Sequence, residues 1–175
     1  MSARVNRRKL KAGDVTFTVS YEQDDMPVRG NAMASGNDAA DRELEDQIIG
    51  LLDSGHDWAW CCIKVVASWT APDGTEYEGT DYLGACSFLG PAEIDGETWS
   101  VQRQIDDTVD GHGMKDQALD DLQRTVNAAD RRQAEALVIE AIGAVPKTAL
   151  QRWAKGKDDW AAEIAKAALK LRAIG

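Results

Sequence analysis

The feature that most constrains the fold is a pair of β-rich segments joined through an Asp-Gly dipeptide. DWAWCCIKVVASW (57–69) comes before Asp73-Gly74, and YEGTDYLGACSF (77–88) follows it. An Asp-Gly pair between two such segments is the strongest short-range signal for a β-hairpin. We therefore predict an antiparallel hairpin with a two-residue turn at this dipeptide. In that register the facing pairs are Cys61 with Cys86, Val65 with Tyr82, Ala59 with Phe88, and Trp69 with Glu78.

The adjacent thiols of Cys61 and Cys62 have three interpretations. Neighbouring strand residues point to opposite faces, so these two side chains do not chelate one ion together. A zinc site takes four convergent ligands, and only Cys61, Cys86 and His56 could converge here. A cross-strand disulfide between Cys61 and Cys86 is disfavoured in a reducing cytoplasm. We predict small buried residues packed in a sheet, with no metal and no cofactor.

Hydrophobic periodicity predicts an α+β fold, in which a small antiparallel sheet (β-α-β-β) is covered by helices and followed by an all-helical C-terminal part. Alternation predicts a strand over 14–23, and 89–98 is predicted as a loop. Helices are predicted over 38–53, around Val101, Ile105 and Val109, and over 114–129, 130–143, 147–155 and 159–173.

Capping residues set several of these boundaries. Asn37 is the predicted N-cap of the helix over 38–53. Asp130 with Gln133 makes a capping box, which predicts a new helix at 130 with inward Leu137, Ile139 and Ile142. In the last predicted helix, Asp158 caps and Trp160, Ile164, Ala168 and Leu171 face inward.

Charge is distributed unevenly along a chain whose formal net charge is −10. Residues 1–12 carry five basic and no acidic residues, residues 13–128 carry 24 acidic and 6 basic, and residues 129–175 carry 6 acidic and 9 basic. We predict a basic N-terminal arm (1–12), an acidic α+β module (13–128) and a helical C-terminal module (129–175). The acidic module should repel phosphate and attract basic protein surfaces.

The helical patterns place many carboxylates on solvent-facing sides, and we predict that these form a partner-binding acidic face. Its predicted members are Asp38, Glu45, Asp46, Asp53, Asp106, Asp110, Asp116 and Asp120.

The segment AVPKTALQRWAKG (144–156) resembles the second half of a helix-turn-helix motif. Leu150 and Trp153 lie three residues apart, so they are predicted to pack inward together. The outward side chains suit phosphates and base edges in a major groove. The predicted DNA-binding residues are Lys147, Thr148, Gln151, Arg152 and Lys155.

Motifs of hydrolases, zinc proteases and nucleotide-binding loops are absent from the sequence. The two histidines, His56 and His112, are predicted to lie at loop edges. We therefore predict that the chain is not an enzyme and that it works in the cytoplasm without crossing a membrane. An enzyme with Cys61 or Cys86 as its nucleophile is a third hypothesis, after the two binding hypotheses below.

The W-A-W-C strand, the Y-L-G-x-C-S return strand and the helix MKDQALDDL (114–122) together resemble a family of small acidic proteins encoded by phages and prophages. The resemblance covers roughly residues 40–125, and it implies a phage or prophage origin and action inside the host cell. Small phage proteins without enzyme motifs often block host defences, as anti-CRISPR proteins do, and some carry a helix-turn-helix domain.

Two hypotheses follow for function. In the first, the acidic module binds a basic nucleic-acid-binding face of a host defence complex and inhibits it. In the second, the C-terminal module binds operator DNA as a transcriptional regulator, as a homodimer. The two hypotheses are compatible because each uses a different module.

Overall fold

The computed structural model describes residues 9–32, 35–155, 162, 164–166 and 168–170, apart from the side chains of Val138 and Ile142. The chain divides into two compact units, Met1–Val126 and Asn127–Gly175. The first holds all the described strands, and the α+β prediction is confirmed. Among the described residues, no helix is long and apolar enough to cross a membrane.

The main sheet has three antiparallel strands in the order β1-β2-β3: β1 is Thr16–Gln23, β2 is Cys61–Thr70 and β3 is Glu76–Cys86. Alternate residues of β2 are fully buried and form the centre of the core, as period-two patterning requires. Helices α2 (Val101–Gly111) and α3 (Met114–Ala144) supply the other half of this core. Its main buried members are Cys61, Ile63, Val65, Ala67, Ile105, Val109, Met114, Ala118 and Leu122.

The turn between β2 and β3 has three residues, not the predicted two. The N–H of Ala71 donates to the carbonyl of Thr75 (2.8 Å), and the N–H of Gly74 donates back to the carbonyl of Ala71 (2.9 Å). Gly74 has φ +87°, the left-handed conformation that closes a three-residue hairpin loop. The predicted register was therefore wrong by one residue along most of the hairpin.

Corrected pairs follow from that shift. Tyr82 lies opposite Lys64, not Val65, and Trp69 lies opposite Tyr77, not Glu78. The Lys64 Nζ is 5.5 Å from the centre of the Tyr82 ring on the open face of the sheet.

A β-bulge near the end of the hairpin restores the predicted pairing of Cys61 with Cys86. Ala85 has φ +55°, which marks an extra residue in β3. Its N–H donates to Asp24 Oδ2 at 2.8 Å, so a side chain from the β1–α1 connection stabilises the bulge. The predicted pairing of Cys61 with Cys86 was thus right. It arises because the register shift at the turn is cancelled by a second register shift at the bulge.

The segment predicted as a loop over 89–98 contains a second hairpin. Its strands are β4 (Ala92–Ile94) and β5 (Glu97–Trp99), joined by Asp95 and Gly96 with φ values of +52° and +80°. Two successive positive φ values make the type I′ turn that two-residue hairpins favour. The prediction failed because strands of three residues show too little alternation to be recognised.

Helix α1 (Asp38–Asp53) was predicted correctly, including its cap. The side-chain oxygen of Asn37 accepts from the N–H groups of Ala39 (3.2 Å) and Ala40 (3.4 Å). The helix packs its buried Ile48 into a small second cluster with Val28, Ala59 and Trp60.

The predicted break at Asp130 is absent, because α3 runs without interruption from Met114 to Ala144. No glycine or proline interrupts residues 114–142, and the neighbours of Asp130 are good helix formers, so propagation is favoured over a new start. Leu137 and Ile139, which were predicted to face inward, are 59% and 58% exposed. Ile142 lies outside the described side chains.

Helix α4 (Lys147–Ala154) follows, as predicted. Leu150 is fully buried with Ala165 and Ala168, whereas Trp153 is 48% exposed, so the prediction that these two pack inward together was wrong. The described residues between 162 and 170 are helical. Asp158, Trp160 and Leu171, which were predicted for that helix, lie outside the described residues.

Candidate partner-binding surface

Four of the predicted carboxylates lie on the solvent side of the two helices that cover the sheet. Ile105 and Val109 of α2 and Ala118 and Leu122 of α3 are buried, so the residues between them face outward. We call the exposed set Asp106, Asp110, Asp116 and Asp120 the helix-layer acidic patch.

The spacing within the helix-layer acidic patch costs stability. Asp106 and Asp110 are four residues apart on α2, as are Asp116 and Asp120 on α3. Like charges at this spacing destabilise a helix by about 0.2–0.5 kcal/mol per pair. Asp106 accepts a hydrogen bond from the Gln102 amide at 3.0 Å, which orients the carboxylate without neutralising it.

Three further predicted carboxylates, Asp38, Asp46 and Asp53, are exposed on α1, and we call them the α1 acidic group. Helix α1 packs on the small second cluster and not on the main core. The structure therefore separates the predicted acidic face into two groups held by different packing clusters.

Glu45 is not part of this exposed face, which corrects the prediction. Its side chain accepts from the N–H of Gly30 at 2.5 Å and from Arg29 Nη1 at 3.3 Å, and the residue is only 8% exposed. The other terminal nitrogen of Arg29 bonds to Asp46, and these bonds raise the pKa of the Arg29 guanidinium. Glu45 thus ties the β1–α1 connection to α1.

Arg29 was the residue that sequence reasoning missed. It is one of six bases among residues 13–128 against 24 acidic residues, and this imbalance was the available signal for an internal ion pair. The helical wheel alone cannot detect it, because Arg29 reaches α1 from a loop.

Most bases of the acidic module are already paired within it. Arg103 bonds to Glu97 at 2.8 Å, Lys115 to Asp110 at 2.8 Å, and Arg124 to Asp121 at 3.0 Å. Because these bases are paired internally, they offer little positive charge to offset the other carboxylates. A partner approaching this module therefore meets an excess of negative charge.

Asp121, next to the helix-layer acidic patch, has a structural role. Its carboxylate bonds to Arg124 and accepts from the backbone N–H of Thr80 at 3.1 Å. These bonds lower the pKa of Asp121. It fastens α3 to the edge of β3, so we exclude it from the binding surface.

The predicted DNA-binding residues share one exposed side of α4. Lys147, Thr148, Gln151 and Arg152 are exposed along the helix, and Lys155 is exposed at its C-cap. The opposite side is anchored by Leu150. The arrangement departs from a compact helix-turn-helix, because the preceding helix α3 has 31 residues.

The three thiols lie in surroundings that suppress their ionisation. Burial raises the pKa of Cys61 to about 12, and burial also raises the pKa values of Cys62 and Cys86. A thiol nucleophile reacts as its thiolate, so these pKa shifts oppose that chemistry. Within the described residues, no three side chains of His, Cys, Asp or Glu are grouped so that they could hold a metal ion.

The resemblance to the phage-encoded family rests on hairpin and helix positions such as Cys61, Leu83 and Leu122, which the packing of the core explains. The family assignment therefore stays a prediction. Comparisons of the chain with protein-family models, with curated proteins and with solved structures found no match.

Proposed function

We propose that this chain is a non-enzymatic, anti-defence inhibitor of phage type that acts in the host cytoplasm. Its helix-layer acidic patch and α1 acidic group would bind a basic face that a host complex normally uses for nucleic acid. The observation that carries the proposal is the helix-layer acidic patch itself, four exposed carboxylates at like-charge spacings on one helical layer.

Energetics support a role for this charge outside folding. The like-charge pairs of the helix-layer acidic patch weaken their own helices. Asp53 is the last residue of α1, whereas Asp110, next to the last residue of α2, is offset by its ion pair with Lys115. Negative charge at a helix C-terminus opposes the helix dipole. Because these carboxylates lower the stability of the fold, a role in binding a partner explains their presence better than a role in folding.

The mechanism would be competition by charge. A basic nucleic-acid channel binds phosphates largely through its electrostatic field, and a rigid acidic surface can occupy the same field. Such association is fast at low salt and weakens as ions screen the charges. The affinity for the target should therefore fall steeply between low and high salt.

The test is a pull-down from nuclease-treated host lysate with the full chain as bait, at about 50 mM and about 500 mM salt. The first variant neutralises the helix-layer acidic patch: Asp106→Asn, Asp110→Asn, Asp116→Asn and Asp120→Asn. The control removes the same charge from exposed positions elsewhere: Asp25→Asn, Asp57→Asn, Glu76→Gln and Glu78→Gln.

We expect a protein partner that wild type and control retain at low salt, and that the patch variant loses. The partner should also lose its nucleic-acid ligand when this chain is added. Equal loss in both variants would show that only total charge matters, and retention unchanged by salt would reject the electrostatic mechanism.

A second candidate function is supported by α4, whose basic and polar side chains are exposed above a buried Leu150. In that case α4 would contact DNA in the major groove. Arg152→Ala and Lys147→Ala should each weaken operator binding by about 1–3 kcal/mol if they reach base edges. A mobility-shift assay in which wild type retains no upstream DNA would exclude this function.

A further inference from the structure

The two edges of the main sheet differ in how they are protected. The N–H of Asp24 donates to the carbonyl of Trp60 at 3.1 Å, which extends the β1–β2 ladder by one pair. Antiparallel strands alternate inward and outward backbone groups. The backbone groups of Phe17, Val19 and Tyr21 therefore point away from β2, and no other described residue hydrogen-bonds to them.

The opposite edge, β3, is obstructed at three points. Asp121 Oδ2 accepts from the N–H of Thr80 at 3.1 Å. Gly79 is buried directly beneath the backbone of α3 at Leu122. The bulge at Ala85 bends the far end of the strand. Among the described strands of the main sheet, β1 therefore presents the more open edge.

Strand β1 also lacks the residues that usually guard an edge. Its sequence, TFTVSYEQ, contains no proline, no lysine and no glycine, and Glu22 is its single charge. Natural proteins normally blunt a long exposed edge with charge, proline or a bulge. Tyr21, on the helix-covered side of the sheet, is still 38% exposed.

We propose that β1 pairs with β1 of a second copy of this chain, antiparallel and about a twofold axis at Val19. This register places Phe17 opposite Tyr21 of the second copy, and Val19 opposite Val19. Every apolar residue of β1 then meets an apolar residue, and Thr18 meets Ser20 on the open face. The outward backbone groups of both strands pair, and the two sheets become one six-stranded sheet.

The apolar match of β1 with itself favours a second copy over a basic partner at this edge. Glu22 lies opposite Thr16 in the proposed register, so β1 holds no like-charge contact and offers almost no charge to attract a cationic strand. Because a twofold contact uses the β1 edge of both copies, pairing through β1 stops at a symmetric dimer.

Salt should strengthen this dimer. At the ends of the paired strands, Asp14 approaches Asp24 of the second copy. These carboxylates repel and are screened by ions. The proposed dimer and the proposed target binding thus respond to salt in opposite directions, so each can fail without the other.

The test is sedimentation equilibrium of the full chain from about 1 to 100 μM, at low and moderate salt. Thr18→Asp with Ser20→Asp puts carboxylates opposite each other at two places across the twofold axis. Thr18→Lys with Ser20→Asp puts opposite charges at the same places. A third variant, Ser87→Asp with Thr125→Asp, adds the same charge as the first at exposed sites away from β1.

We expect wild type, the Lys/Asp variant and the distant-charge variant to dimerise. The Asp/Asp variant should have a dissociation constant raised at least about tenfold. Circular dichroism and thermal melts confirm that each variant is folded. A wild type that stays monomeric over the whole range, or equal dimerisation of the Asp/Asp and Lys/Asp variants, would overturn the proposal.

Discussion

Replacement of Gly79 by alanine tests the closest approach between the sheet and α3. A Cβ at this position would lie 2.0 Å from the Leu122 backbone nitrogen, 2.4 Å from the Ala118 carbonyl oxygen and 2.5 Å from the Leu122 Cα. All three are backbone atoms of a helix, so no side-chain rotation relieves the clash. Helix α3 would have to move outward by about 1.5 Å to restore normal contact distances of about 3.5 Å.

The expected cost has three parts. Overpacking of this kind costs about 1–3 kcal/mol. The movement also stretches the hydrogen bond from Thr80 N–H to Asp121, which contributes about 0.5–1.5 kcal/mol. Lower chain entropy in the unfolded state offsets about 0.4–1 kcal/mol. We expect Gly79→Ala to lower the free energy of unfolding by about 2–3 kcal/mol, and Tm by about 5–10 °C.

Urea unfolding followed by circular dichroism, with a thermal melt, measures both quantities. Gly50→Ala is the matched control, because Gly50 lies within α1 and a Cβ there meets no atom within 4 Å. That variant should be stabilised by about 0.5–1 kcal/mol. If Gly79→Ala were as stable as wild type, α3 would not rest on β3 at this residue, and the described packing would be wrong.

Three further predictions concern charge and burial. Asp53→Asn should raise Tm by about 1–3 °C in a thermal melt, because it removes a negative charge from the C-terminal end of α1. An unchanged or lower Tm would contradict the argument that this carboxylate opposes folding. Glu45→Ala should lower the free energy of unfolding by about 1–3 kcal/mol in urea, because it removes the hydrogen bonds of a buried carboxylate to the Gly30 N–H and to Arg29. A cost no larger than that of Asp46→Ala would show that Glu45 is not a buried anchor. The raised pKa of Cys61, about 12 against an ordinary 9.0, keeps the folded thiol protonated while the unfolded thiol ionises. Its contribution to stability is therefore complete below about pH 9 and is lost as pH rises toward 12, so the stability difference between wild type and Cys61→Ala should shrink between pH 8 and pH 10.5.

Two Asp-Gly dipeptides show how far local sequence decides a turn. Asp95-Gly96 forms the two-residue turn that the dipeptide favours, whereas Asp73-Gly74 closes a three-residue loop with only the glycine in the left-handed conformation. Pro72 is compatible with the type I turn that precedes Gly74. The dipeptide predicted the hairpin at Asp73-Gly74 but was passed over at 95–96, where a loop was predicted. At the first position, the neighbours of the dipeptide decided the register.

The candidate surface divides in the same way. Helical periodicity alone placed the helix-layer acidic patch outward, because the buried positions of α2 and α3 repeat every three to four residues. Periodicity placed Glu45 outward, but its partner Arg29 lies in the loop before α1 and is not visible to a helical pattern. It also misplaced Trp153 and Leu137, because a helix face is buried only where another element covers it.

The sequence by itself determined the three long strands, the helix α1 with its Asn37 cap, the alternation of the central strand, and the accumulation of negative charge before residue 128. These depend on contacts between residues a few positions apart, which local propensity and periodicity record. Tertiary structure alone decided the strand register, the burial of Glu45 and the contacts of α3 with β3 at Asp121 and Gly79. Each of these depends on a partner brought close by folding of the chain, and no local pattern specifies which residue that partner will be.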